Sequence, residues 1–296
     1  MVRLLLLIAA GLALLIPNAA CAETLSDRLL PLIQGHNGKV SIAVKHLTSG
    51  EEFYYHADDA MPTASLIKVA VMVETYRQAA EKRVDLDQKL TLREEDRVPG
   101  SGILTQLTPG LTLTLRDAVR LMMSLSDNTA TNLVLDTVGL GATAETMERM
   151  GYPNTKIHSK VFKRSTTLFA ERSKQFGLGS TTAREMMRLV ESIQRKEVVT
   201  PEACDAMLGH MRACQEPFKF PRFLPEGVRV AFKGGSVDEC RTAAGILTTP
   251  SGPIALCVLT NENEDQGWGP DNAGDRLCAQ VAREVALHFN PPALAK

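Results

Sequence analysis

Ser65-Leu66-Ile67-Lys68-Val69-Ala70-Val71-Met72-Val73 sets a hydroxyl and an amine three residues apart at the head of an almost wholly apolar run. Pro62 and Thr63 just ahead read as a helix start, with Thr63 as the N-cap. Ser65 then falls in the first turn, where free backbone N–H groups and the positive end of the dipole favour a developing alkoxide. Positions i and i+3 share a helix face, so Lys68 lies over Ser65. No polar stripe follows, and the segment therefore reads as a buried helix in which an ammonium is poorly solvated and its pKa falls. A neutral lysine there serves as a general base for a serine that has no histidine. One Ser-x-x-Lys is expected by chance in roughly every chain of this size and average composition, so the pair needs partners.

The start of the chain is a targeting segment. Arg3 gives a positive charge, Leu4 to Ile16 an apolar core, and Ala20-Cys21-Ala22 a small-residue cleavage site. Residues 1–22 are read as a signal peptide and 23–296 as the functional domain of an exported, periplasmic or secreted protein. No later stretch reaches the roughly 18 apolar residues of a membrane span. A chain of 296 residues with 44% hydrophobic content buries a large core, and a net charge of −1 leaves no footprint for nucleic acid. Beyond Cys21 the cysteines are Cys204, Cys214, Cys240, Cys257 and Cys278, an odd number without a Cys-x-x-Cys pair. The histidines sit in no metal-ligand spacing, so neither a metal nor a cofactor is expected.

Periodicity places a short helix at Leu25 to Ile33, then a hairpin from Val40, Ile42 and Val44 to Phe53-Tyr54-Tyr55. Helices follow at Ala64 to Arg83, Leu115 to Leu125 behind a Thr114-x-x-Asp117 capping box, Thr129 to Val138, Ala142 to Met150, Thr181 to Val198, and Pro201 to Arg212. Strands return at Val228 to Phe232, Ala243 to Thr248 and Ile254 to Leu259, and a last helix carries Leu277, Val281 and Val285 on one face. The expected fold is α+β: a sheet built from both termini (about 23–60 and 213–296) and flanked by helices, with an all-helical part (about 61–212) packed against it. The stretch from Ile157 to Gly179 lacks periodicity, which in a compact domain often marks a functional loop.

Two further motifs follow the first in order. Ser126-Asp127-Asn128 forms a helix-to-helix loop, where an N-cap role explains an Asp or Asn by itself. Lys233-Gly234-Gly235 ends the strand that begins at Val228. Ser-x-x-Lys, Ser-Asp-Asn and a late-strand Lys-x-Gly, taken together, resemble the active-site set of class A β-lactamases and penicillin-binding proteins. The rim segment Pro99-Gly100-Ser101-Gly102-Ile103-Leu104 and the Arg241-Thr242 pair extend the likeness over nearly the whole mature chain. The resemblance implies a β-lactamase/transpeptidase-like antiparallel sheet with the active site between it and the helical part. It also implies roles. Ser65 attacks a lactam or D-alanyl amide carbonyl, Lys68 helps remove its proton, and Ser126 passes a proton to the departing nitrogen. Lys233, Gly235, Ser236 and Arg241 surround the substrate carboxylate, Asn128 holds a substrate amide, and backbone N–H groups of Ser65 and Ser236 form an oxyanion hole.

The chain departs from this family in two places. Gly234 stands where Thr or Ser usually follows the strand lysine. The family's loop glutamate, counted back from Ser180-Thr181-Thr182, lands near Thr167, and Glu171 is the only carboxylate in the loop, a displaced base or a surface charge. The resemblance therefore implies a monomeric serine hydrolase acting on β-lactams through a Ser65 acyl-enzyme. The alternatives are a D-alanyl-D-alanine peptidase acting on peptidoglycan peptide and a slowly deacylating penicillin sensor.

Overall fold

The computed structural model describes residues 23–291; the signal peptide read at residues 1–22 lies outside them. In chain order the elements are α1 (Leu25–Gln34), β1 (Lys39–His46), β2 (Glu52–Tyr55), β3 (Met61–Pro62), α2 (Lys68–Ala80), β4 (Lys89–Thr91), β5 (Thr112–Thr114), α3 (Leu115–Ser124), α4 (Asn128–Val138), α5 (Leu140–Arg149) and β6 (Lys156–Ile157). They continue with α6 (Ala170–Phe176), β7 (Gly179–Thr181), α7 (Ala183–Gln194), α8 (Pro201–Arg212), β8 (Arg229–Val237), β9 (Cys240–Thr249), β10 (Gly252–Asn261) and α9 (Ala273–Phe289).

The main sheet is antiparallel in the order β2-β1-β10-β9-β8, so both ends of the chain meet at its centre, where Ile42 pairs with Val258. Alternate residues feed two cores. Ile42, Val44, Leu256 and Val258 face α1 and α9, joining Leu29, Leu277, Val281 and Val285. Ala43, Ala255, Cys257 and Leu259 point the other way, into a core shared with α2 and α7. Helices on both faces explain why β9 and β10 read as continuous apolar runs rather than an in–out alternation. Each enclosed Leu or Ile stabilises by about 1.5–3 kcal/mol.

Local chemistry sets the helix starts. Thr24 and Thr114 each form a reciprocal capping box with an Asp three residues on, and Thr182 and Thr200 cap α7 and α8. The cysteines Cys204, Cys214, Cys240, Cys257 and Cys278 are all free thiols, Cys214 alone partly exposed.

Thr63 holds the N-cap position, its carbonyl accepting from Leu66 N at 3.1 Å, but without a side-chain cap and ahead of a 3₁₀ turn rather than of α2 itself. It is itself αR, and the 3₁₀ turn runs over Ala64–Ile67. The cause is a tertiary bond: the buried Thr242 hydroxyl on β9 donates to the Thr63 carbonyl at 2.8 Å and turns the chain at its entry. Also unforeseen are the β4–β5 ribbon, the small β3-β7-β6 sheet and α6. These pieces are too short for periodicity to reveal. Thr242→Val keeps the shape and deletes the tie, so it should lower stability by about 1 kcal/mol in urea unfolding.

Candidate active site

Strand β8 abuts the 3₁₀ turn that carries Ser65. A Cβ on Gly235 would stand 2.4 Å from the Thr63 carbonyl and 2.8 Å from the Leu66 nitrogen, so only glycine lets the two backbones approach this closely. Ala64, immediately before Ser65, has φ of +46°, and Ser126 has +55°. Two L-residues in the left-handed region beside motif serines mark backbone strain held by its surroundings.

Lys68 is fully enclosed. Its Nζ donates to the Ser126 carbonyl at 2.6 Å, the Asn128 Oδ1 at 2.9 Å and the Ser126 Oγ at 3.2 Å. The first two motifs therefore meet on one nitrogen. Burial pushes the Lys68 pKa well below its ordinary value, the positive charge of Lys233 adds to the drop, and Asp127 and Glu216 oppose it. A neutral amine has two N–H groups and one lone pair for those three acceptors. In that state the Ser126 hydroxyl becomes the donor and Lys68 the acceptor. The Ser65 hydroxyl, half-buried, makes no hydrogen bond among the described residues.

Asp127 is the N-cap of α4, as the capping reading of its motif has it, and it also anchors the rim. One carboxylate oxygen accepts from Ala130 N at 2.8 Å, the other from Ile103 N at 2.7 Å and Leu104 N at 2.9 Å. Gly102 sits so close that a Cβ would lie 2.2 Å from the Asp127 Cγ. Asn128 completes the clamp by donating from Nδ2 to the Pro99 carbonyl at 3.0 Å.

Lys233, also fully buried, donates to Glu216 at 2.5 Å and to the Gly234 carbonyl at 2.7 Å. Periodicity gave no sign of Glu216 or of Lys219 in the segment ahead of β8. The buried Lys219 ammonium contacts the Ser236 Oγ at 3.0 Å and pairs with Asp275. Burial alone would raise the Glu216 pKa. The ammonium charges of Lys233 and Lys219 and the Lys233 hydrogen bond overcome that and hold it at about 2.

The structure corrects the reading of Arg241. Its guanidinium is buried, donates to the carbonyls of Val237, Asp238, Cys240 and Gly267, and lies under the Trp268 ring at 4.9 Å. The tight β8–β9 turn supplies three of those carbonyls and the segment after β10 the fourth, so the guanidinium is engaged by backbone oxygens on both sides. Lys219 is the cation beside Ser236.

The loop also differs from the residue count. Asn132, one turn after Asn128 on α4, donates to the Val161 carbonyl at 3.0 Å and accepts from Val161 N at 2.8 Å. The neighbouring Phe162 ring comes within 3.3 Å of where a Gly100 Cβ would stand, beside Asn128. Val161 and Phe162 are thus the loop residues brought to the α4 side of the site. Thr167 is tied to the His158 carbonyl at 3.1 Å instead. Glu171 is exposed on α6, which packs on β3 and β7, and it makes no ion pair or hydrogen bond among the described residues. A cavity of about 600 Å³ lined by Val40, Tyr55, Met61 and Phe176 contains none of the motif residues.

A carboxylate held at about pKa 2 against an ordinary 4.5 adds stability above pH 4.5 and loses it as pH falls toward 2. The gap in unfolding midpoint between wild type and Glu216→Gln should be widest near pH 6, narrow below pH 4.5 and close only as pH falls to about 2 or below. A pH-independent gap would show that the charge of Glu216 is not what stabilises.

Comparison with known proteins gives the family and the fold. The model of the beta-lactamase enzyme family matches residues 24–289. Among curated relatives, beta-lactamase SME-1 of Serratia marcescens is 24% identical over 119 residues, or 40% of each chain, and beta-lactamase 3 of Bacillus cereus is 24% identical over 78% of this chain and 72% of its own. The matches to SME-1 and to PSE-4 of Pseudomonas aeruginosa thus span well under half of those relatives' length. The crystal structure of a beta-lactamase from Sphaerobacter thermophilus superposes with a TM-score of 0.78 at 27% identity, covering 90% of this chain and 99% of that one. PBP-A superposes equally well, at 25% identity over 90% and 95%. With the sheet, the helical part and the seam between them in agreement, the chain belongs to the beta-lactamase enzyme family, within the class A β-lactamase and penicillin-binding protein fold.

Proposed function

We propose that this protein is an exported serine acyl-transfer enzyme that opens β-lactam amides through an acyl group on Ser65 and releases that group slowly. The observation that carries the reading is the enclosed Lys68 amine, bonded at once to Ser126 and Asn128 one helical turn from Ser65. In the neutral state Lys68 takes the Ser65 proton as Oγ attacks the carbonyl. The proton moves on through Ser126 to the nitrogen as the C–N bond breaks. Backbone N–H groups of Ser65 and Ser236 receive the oxyanion, where one donor is worth about 3 kcal/mol of transition-state stabilisation. Lys233 supplies positive charge beside Ser126.

Deacylation needs a base for water. The loop brings Val161 against Asn132 and Phe162 beside Gly100 and Asn128, and Glu171 is exposed on α6. This arrangement favours a second reading, a D-alanyl-D-alanine peptidase of the same family acting on cell-wall peptide.

Intact mass after mixing with benzylpenicillin tests both. A lasting adduct, with a burst of lactam opening and a slow steady state, is expected. Ser65→Ala should abolish the adduct while leaving the circular dichroism spectrum unchanged; undiminished labelling would remove Ser65 from the mechanism. Val161→Glu should raise steady-state turnover by roughly ten-fold or more, the usual scale of a gained general base. Thr167→Glu should not, and the reverse outcome would restore the residue count.

A further inference from the structure

Glu216 has no part in the chemistry above, yet it holds the cation that the substrate's own carboxylate would need. Its Oε1 lies 2.5 Å from the Lys233 Nζ, and its Oε2 fills the space over Gly234, where a Cβ would stand only 2.1 Å away. That same Cβ would meet Cδ and Cε of Lys219 at 2.7 Å. Gly234 is thus glycine because a charged group from another segment occupies the seat of a side chain at that position. The Lys233 side chain is wholly enclosed, whereas 23% of the Glu216 side chain is exposed, so Glu216 is the outer member of the pair. The neighbouring cation is equally committed, since Lys219 pairs with Asp275.

Glu216 and the Gly234 carbonyl take two of the three Lys233 N–H groups, so an incoming anion must either displace or crowd against a carboxylate tethered to the same chain, whose effective concentration is on the order of millimolar or higher. A neutral group faces no such competition. We propose that Glu216 is a built-in occupant of the anion seat on Lys233, a specificity-determining group that disfavours acyl donors presenting a free carboxylate there and favours those presenting an uncharged, hydrogen-bonding group. This rests on the Ser65 acylation reading and deepens it by naming the substrate class.

The test compares second-order acylation of Ser65, by intact mass, with benzylpenicillin and with its uncharged methyl ester. Wild type should show an acid-to-ester rate ratio below about three, and Glu216→Gln should raise that ratio about ten-fold or more, as expected for one freed charge-assisted hydrogen bond. A wild-type ratio above ten overturns the proposal by itself, even if the variant fails to fold. So does an unchanged ratio in a folded Glu216→Gln protein, because a purely structural role would alter both rates together.

A second measurement does not depend on acylation. Sulfate at about 50 mM should raise the unfolding midpoint of Glu216→Gln by about 3 °C or more and that of wild type by under about 1 °C. Equal shifts overturn the occupancy. If neither compound labels Ser65 while the sulfate shifts differ as expected, the acylation reading fails and the occupied seat stands.

Discussion

Burying ammonium groups is the constraint that organises this molecule. Lys68, Lys219 and Lys233 all lie out of water along the seam between the helical part and β8. Each must find oxygen acceptors or lose its proton. Lys219 and Lys233 pair with Asp275 and Glu216, and against the pull of burial the Asp275 and Glu216 charges hold the Lys219 pKa above its ordinary value. Lys68 receives only neutral acceptors from Ser126 and Asn128, and burial drives its pKa down. The same physical problem has two solutions in one molecule, neutral acceptors for Lys68 and carboxylate partners for Lys219 and Lys233.

That division depends on backbone approach. Gly235 lets β8 press against the turn of Ser65, and Gly102 lets the rim settle on the Asp127 carboxylate. Asp127 spends its oxygens on three backbone N–H groups. It fixes the loop on which Ser126 and Asn128 stand, and so holds the acceptors of Lys68 in place. Thr242 does the same from the sheet by holding Thr63. Fold stability and site geometry share these bonds, so a change at any of them registers in both.

Much of this was legible in the sequence because it is local or periodic. The capping pairs Thr114–Asp117 and Thr200 with Pro201, the apolar strand Ile254 to Leu259, and the order of the three motifs are all readable without a partner. The misreadings share another origin. Thr63 takes the expected N-cap position, but it opens a 3₁₀ turn without a side-chain cap, and Thr242 bonds its carbonyl from far along the chain. Arg241 looks available until the β8–β9 turn and Trp268 close over it. Glu216 and Lys219 lie in an aperiodic stretch between prolines, and the one sequence signal for them was indirect: the missing hydroxyl at Gly234. Spacing from Ser180 points to Thr167, whereas Asn132 grips the Val161 backbone, a contact that spacing does not encode.

The free thiols carry a further meaning. Cys240, Cys257 and Cys278 are enclosed, and burial holds Cys240 and Cys278 up at about 12. At neutral pH they are protonated, hidden and slow to exchange or oxidise. With no crosslink among the described residues, the native state owes nothing to an electron acceptor. The described fold thus coheres through packing, hydrogen bonds and paired charge, with its enclosed thiols shielded from exchange.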